Sequence, residues 1–360
     1  KFLLKEDFLP SHADKILYFL APIAIFAPAA CGFAVIPWGG TLAAGSDFFG
    51  FHFADNFPIM VANPDIGVLF VMAAAGLAVY GIVLGGWSSG SKFSFLGALR
   101  ATAQMLSYEV PMALSVMAIA VIVGSLKLPD LINHQAHYGL GGVLPYWNIF
   151  MHPVAFLIFT TAIFAECNRT PFDLPECETE LVAGYHTEYS SMKFALFYLA
   201  EYASMITGSA VLVALFLGGW HLPWIDKLIY GTAQPEVTGW GGVALKFVVY
   251  WGKVIAFLFV YMWVRWTLPR FRFDQLMNLA WRGMIPLALG SFLIAVIVKY
   301  LVMTGAVVHE GYWLTGLNVV FGALTLFVVG RIPTTALNKR ATLPFSRYNP
   351  QLVRAAAIEL

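Results

Sequence analysis

ECNRTPFDLPECETELVAGYHTEYSSMKFALFYLAEY (Glu166–Tyr202) gathers seven of the chain's 20 acidic residues into 37 positions: Glu166, Asp173, Glu176, Glu178, Glu180, Glu188 and Glu201. On either side the chain runs apolar for roughly the ~20 residues that a helix needs to cross a bilayer core. A polar segment set between two such runs reads as a loop joining membrane spans.

Composition agrees. Of the 360 residues, 59% are hydrophobic and 11% charged, and the mean hydropathy is +0.75. A soluble domain carries about 25% charged residues, so this chain lacks the polar surface that would keep it in water. Its apolar runs are continuous rather than alternating, which favours a helical bundle over a membrane barrel. The fold class expected is an all-α polytopic membrane protein with about eight transmembrane helices and a short amphipathic cytoplasmic helix in the acidic loop. A net charge of +1 gives no sign of nucleic-acid binding. Cys31, Cys167 and Cys177 show no metal-ligand spacing and read as free thiols. The opening KFLLKEDFLP is no signal peptide, because acids interrupt it before an apolar core of sufficient length.

Residues 1–15 read as a short amphipathic surface segment. The spans expected are 16–37, 66–87, 95–124, 154–165, 192–220, 243–264, 285–303 and 313–329. The fourth is short unless it begins near Trp147. With both ends on one side, sixteen of the 21 basic residues fall there, leaving Lys127, Lys227, Lys246, Lys253 and Lys299 opposite. Basic residues collect on the cytoplasmic side, so both termini and the acidic loop are expected to face the cytoplasm.

Several residues carry chemistry. Arg100, Gln104, Tyr108 and Glu109 lie within ten residues of the third span. Charges inside a membrane are costly, so they face the bundle interior and tend to be functional; the alternative puts Arg100 at the headgroups, with Glu109 merely its partner. Pro111 cannot donate to the carbonyl of Ser107, which loosens the helix beside Glu109. In the acidic loop, Asp173 followed by Glu176 fits an N-cap with an acid at N3, Pro175 suits the first turn, and Gly184 suits a stop. Leu174–Ala183 is therefore expected to be a short helix. On it Glu176 and Glu180 share a face, and two acids four apart repel, raising one pKa where the helix is buried. A solvated acidic surface would give the same composition. Glu201 is a lone acid on the cytoplasmic half of the fifth span. His186 and Glu188 would need further ligands to hold a metal, so none is assigned. Arg270, Arg272 and Asp274 in LPRFRFDQLM anchor the end of the sixth span at anionic lipid or contact a partner. No Gly-rich phosphate loop or cysteine cluster occurs.

At these residues a resemblance enters. NRTPFDLPECETELVAGYHTEYSSMKFALFYLAEY resembles the signature of the NuoH family, the H subunits that form the membrane part of the quinone site in respiratory complex I. KEDFLP, GWSSGSKFSFLGALRATAQMLSYEV (Gly86–Val110) and LPRFRFDQLM resemble further segments of that family, and the likeness covers about Lys5–Leu301. It implies a subunit of a proton-pumping NADH:quinone oxidoreductase, without catalytic activity by itself, in a bacterial inner membrane. Glu109, Glu176, Glu178, Glu180 and Glu201 match acids of the proton path. Glu166, Arg169, Asp173, His186 and Glu188 match the quinone-proximal loop, with Arg100, Arg270, Arg272 and Asp274 as supporting charges. Ubiquinone or menaquinone would be the substrate, and this chain would hold neither FMN nor an iron–sulfur cluster. The partners implied are the peripheral quinone-site and iron–sulfur subunits, neighbouring small membrane subunits and lipid.

Two departures shape the expected organisation. Family members carry another membrane helix and a basic segment before the equivalent of KEDFLP, so the sequence is expected to begin inside a longer protein. Residues 1–305 form the family-like membrane domain, while 306–360 add a span and a basic tail. The alternatives are the homologous subunit of a membrane-bound hydrogenase or formate hydrogenlyase, or a stand-alone ion transporter.

Overall fold

A computed structural model describes residues 2–45, 47–48, 51–52, 55–137, 145–173, 182–223, 226, 237–305 and 310–331. The acids Glu176, Glu178 and Glu180, and the helix expected over Leu174–Ala183, lie outside the described residues but for its last two positions. Those two are not helical: Val182 has φ 66° and Ala183 has φ −136°, ψ 19°.

The chain is helical where the apolar runs predict. In order come α1 (Lys15–Val35), α2 (Gly67–Ser88), α3 (Lys92–Val123), α4 (Leu128–His134), α5 (Asn148–Met151), α6 (Pro153–Glu166), α7 (Ser191–Phe216), α8 (Trp240–Thr267), α9 (Phe273–Asn278), α10 (Ile285–Met303) and α11 (Glu310–Arg331). Among the described residues, seven helices are long and apolar enough to cross a membrane, α9 and α10 counting as one through a π-helical turn over Leu279–Met284. The fourth expected span is the exception. His152, with φ −124° and ψ 58°, separates α5 from α6. The 14 residues of α6 rise only ~21 Å, short of the ~30 Å hydrocarbon core.

Contacts divide the chain into two units, Lys1–Val319 and Val320–Leu360. Of the second, the described part is the end of α11. The first holds the helix bundle, and its close approaches depend on small residues, as expected where lipid removes the hydrophobic drive between helices. A Cβ on Gly81 of α2 would sit 2.6 Å from the backbone nitrogen of Ile25 on α1. One on Gly97 of α3 would sit 2.7 Å from the Cα of Gly184, so the loop after the acidic stretch lies backbone-to-backbone on α3.

The loop before α2 is not wholly irregular. Two-residue strands β1 (Thr41–Leu42), β2 (Asp47–Phe48), β3 (Phe51–His52), β4 (Phe57–Pro58) and β5 (Val237–Thr238) form a sheet of order β4-β1-β5 and a separate β2-β3 pair. β1 runs antiparallel to β4 and parallel to β5. At the C-terminal end of α7, Gly218 and Gly219 adopt φ 69° and 53°, and the carbonyls of Leu217, Gly219 and His221 converge on the Lys253 ammonium at 2.6, 2.8 and 2.7 Å. A cation so placed satisfies carbonyls that a helix C-terminus leaves open.

Candidate functional site

The site is built where the loop following α6 turns back into the bundle. Gln104 of α3 is fully buried and its amide spans that loop, donating to the carbonyls of Ala165 (2.8 Å) and Phe172 (2.9 Å) and to Asn168 Oδ1 (3.2 Å). Asn168 takes φ 48°, and the Thr170–Pro171 bond is cis. One buried amide thus fixes the turn that presents Arg169 and Asp173.

Arg169 points inward. Its Nη2 lies 3.5 Å from Glu201 Oε2 and its guanidinium stands 4.4 Å over the ring of Tyr202. The hydroxyl of Tyr185 donates to Glu201 Oε1 at 2.8 Å. Glu201 is only 7% exposed, so its charge is held by a cation and a phenol rather than by water. Asp173 faces the segment after α8, accepting from Arg270 Nη2 at 2.8 Å. Phe271 N donates to the Pro171 carbonyl at 3.2 Å, and the rings of Phe172 and Phe271 stack at 5.7 Å. The two loops form one structure. Burial pushes the Asp173 carboxyl up, against the opposing pull of Arg270, Arg169 and Arg265.

His186 and Glu188 play different parts from each other. His186 is buried among Tyr185, Phe194 and Tyr198, and burial holds its imidazole down at about 4. Glu188 contributes its backbone carbonyl, which accepts from Tyr18 at 2.7 Å. Tyr18 stacks on Tyr189 at 4.2 Å, and Lys193 lies over Tyr18 while pairing with Asp7 at 2.9 Å. The KEDFLP segment is therefore pinned to the start of α7 in turns and extended chain rather than in a helix. No group of three or more metal-ligating side chains comes together among the described residues.

Deeper in the bundle, a cavity of about 70 Å³ opens between α1, α2, α3, α6 and α7. Glu166, Cys167, Ser204 and Thr207 line it together with Met105 and Met112. Glu109 lies between those two methionines on α3. A Cβ on Gly76 of α2 would come within 2.9 Å of Glu109 Oε1, so the missing side chain is what accommodates the carboxylate. Among the described residues Glu109 forms no ion pair, so it is not Arg100's partner. Nine residues of helix separate the two by ~13 Å. Arg100 sits instead 5.8 Å over the ring of Phe273. Arg272 and Asp274 pair with each other at 3.2 Å, exposed.

The structure thus brings together Arg169 with Glu201, Asp173 with Arg270, and Glu109 with Gly76. Sequence reasoning missed Tyr185, whose role depends on the fold of the loop, and Gly76, whose lack of a side chain makes room for Glu109.

The sequence matches known proteins along most of its length. The family model described as NADH dehydrogenase matches residues 1–296. The chain is 45% identical over 294 residues to an NADH-quinone oxidoreductase H subunit of Cytophaga hutchinsonii, covering 82% of this chain and 80% of that protein. It is 48% identical over 288 residues to the H subunit of the Leptospira biflexa enzyme, covering 79% and 76% respectively. With an H subunit of the Geobacter metallireducens enzyme the identity is 43% over 294 residues, covering 82% and 79%.

Proposed function

This chain belongs to the NADH dehydrogenase family, and we propose that its buried acids couple quinone reduction to proton translocation. It is a multi-pass membrane subunit of an NADH-quinone oxidoreductase, with the other complex I subunits as partners and quinone involved in the reaction. The relatives' names favour this over a hydrogenase subunit or a transporter acting alone.

In this reading the loop of Glu166, Arg169, Asp173, His186 and Glu188, joined to the segment holding Arg270, Arg272 and Asp274, forms the membrane side of the quinone chamber. It faces the cytoplasm, where peripheral partners hold the flavin and iron–sulfur clusters. Reduction of quinone takes up two protons, so carboxylates coupled to the chamber change charge as the reaction proceeds. Arg169 and Tyr185 hold Glu201 at the entry. Glu166 and Glu109 carry the change into the bundle, and carboxylates that act along one path titrate as a set. Glu176, Glu178 and Glu180 belong to the same path by their place in the family signature.

The observation that carries the reading is Glu201: an acid 7% exposed, bound on one side by a loop arginine and on the other by a buried phenol. Such acids are retained in membranes where a charge has work to do. Glu201→Gln, Glu176→Gln and Glu180→Gln in the assembled complex are expected to depress proton pumping per quinone reduced. Full pumping in all three variants would overturn the proposal.

A further inference from the structure

The cavity between α1, α2, α3, α6 and α7 has two unlike halves. Toward the acidic loop its walls carry Glu166, Cys167, Ser204 and Thr207, and at the far end Val68, Val71, Val116, Phe159 and Val211. On α3 the wall runs from Met105 to Val116, a rise of ~16 Å. The antiparallel α6 and α7 change character at one level. A Cβ on Gly208 would meet Ile163 Cγ2 at 2.9 Å; on the loop side of that contact stand Glu166 and Ser204, and beyond it Phe159 and Val211.

Water occupies a cavity where it finds polar partners, and a cavity walled by hydrocarbon stays dry. The loop half offers a carboxylate and hydroxyls, and Thr207 Oγ1 is buried with no hydrogen-bond partner among the described residues. The far half offers hydrocarbon side chains. Just past it lies the opposite surface. Val68 N donates to the Leu126 carbonyl at 3.2 Å, and Leu126 lines an open recess with Met117, Asp65 and Lys127, the last two an ion pair at that surface. Val116 and Met117 are neighbours in α3, yet one lines the cavity and the other the recess. A layer of valines therefore stands between two spaces that water can enter.

We propose that Val68, Val71, Val116 and Val211 form a hydrophobic plug that closes the cavity to water at its far end, so that protons reach it from the loop side alone. An apolar constriction blocks ions by staying dry, without any moving part. The inference rests on the proton-path reading given above and adds the barrier that keeps the path from leaking across the membrane.

The test is the passive proton permeability of sealed vesicles holding the assembled complex, measured under an imposed pH gradient without NADH or quinone. Val116→Thr combined with Val71→Thr keeps the shape of both side chains and adds hydroxyls to the plug. Val211→Thr adds one from a different helix. Proton leak is expected to rise several-fold in each. Val116→Ala combined with Val71→Ala widens the far half without adding a polar group, so those vesicles are expected to stay as tight as parental ones. A role in packing alone predicts the reverse order, since the Ala pair removes more buried hydrocarbon. Parental tightness in the assembled Thr variants, or an equal leak in the Ala pair, overturns the inference. Because leak is read without turnover, the two levels separate. Full pumping by Glu201→Gln would remove the proton-path role, whatever the plug does. Tight Thr variants beside a Glu201→Gln complex that fails to pump would remove the plug alone.

Discussion

Glu109 of α3 rests its carboxylate against Gly76 of α2, in space that any side chain at position 76 would take, with Oε1 2.9 Å from where a Cβ would stand. The obstructing atom is the end of a flexible side chain, so Gly76→Ala is expected to spare assembly while displacing Glu109. Proton pumping should fall several-fold, with the amount of assembled complex near the parental level. Equal pumping would mean that the placement of Glu109 is immaterial.

Tyr185→Phe removes one hydrogen bond to Glu201 and leaves Arg169 in place. Hydrogen bonds to charged groups contribute about 1.5–3 kcal/mol, so turnover is expected to fall on the order of tenfold. Arg169→Gln should cost more, because it strands a buried carboxylate without its cation. Both are read from quinone reductase rates in membranes normalised to complex content.

The contact of Gly97 with Gly184 is backbone on backbone and has no side chain to give way. Gly97→Ala is expected to destabilise the protein by about 1–3 kcal/mol, lowering the thermal stability of the complex. Gly184 adds a second constraint, since its φ of 66° disfavours any L side chain.

His186 gives a pH signature. Burial holds its folded value at about 4, below the ~6.5 of an unfolded chain, so the unfolded state binds the proton between those limits. Stability from this group is complete above about pH 6.5 and is lost as pH falls toward 4. At pH 5.5 the loss is on the order of 1 kcal/mol. His186→Gln should flatten the difference in thermal stability between pH 7.5 and 5.5, and an unchanged slope would contradict a neutral buried imidazole.

Hydropathy located the long helices because spanning a membrane demands an unbroken apolar run. It could not settle the fourth span, where His152 interrupts the helix and α6 is shortened to 14 residues. The two-residue strands lay below any periodicity. Arg100, Gln104 and Glu109 stood out as charged or polar residues in an apolar run, yet their shared span concealed three different fates: over the ring of Phe273, across the loop at Asn168, and against Gly76. Arg169 and Glu201 were each singled out from the sequence. Their pairing across 32 residues was not, because it depends on the turn that Gln104 holds. Tyr185 looks like an ordinary aromatic core residue until the fold reveals that its hydroxyl faces Glu201.

The most direct test of the account is the number of protons translocated per NADH oxidised by complex carrying Glu201→Gln, reconstituted in sealed vesicles alongside the parental complex. The account predicts a lower ratio at comparable complex content, since the acid held between Arg169 and Tyr185 could no longer change its charge. An unchanged ratio would contradict it.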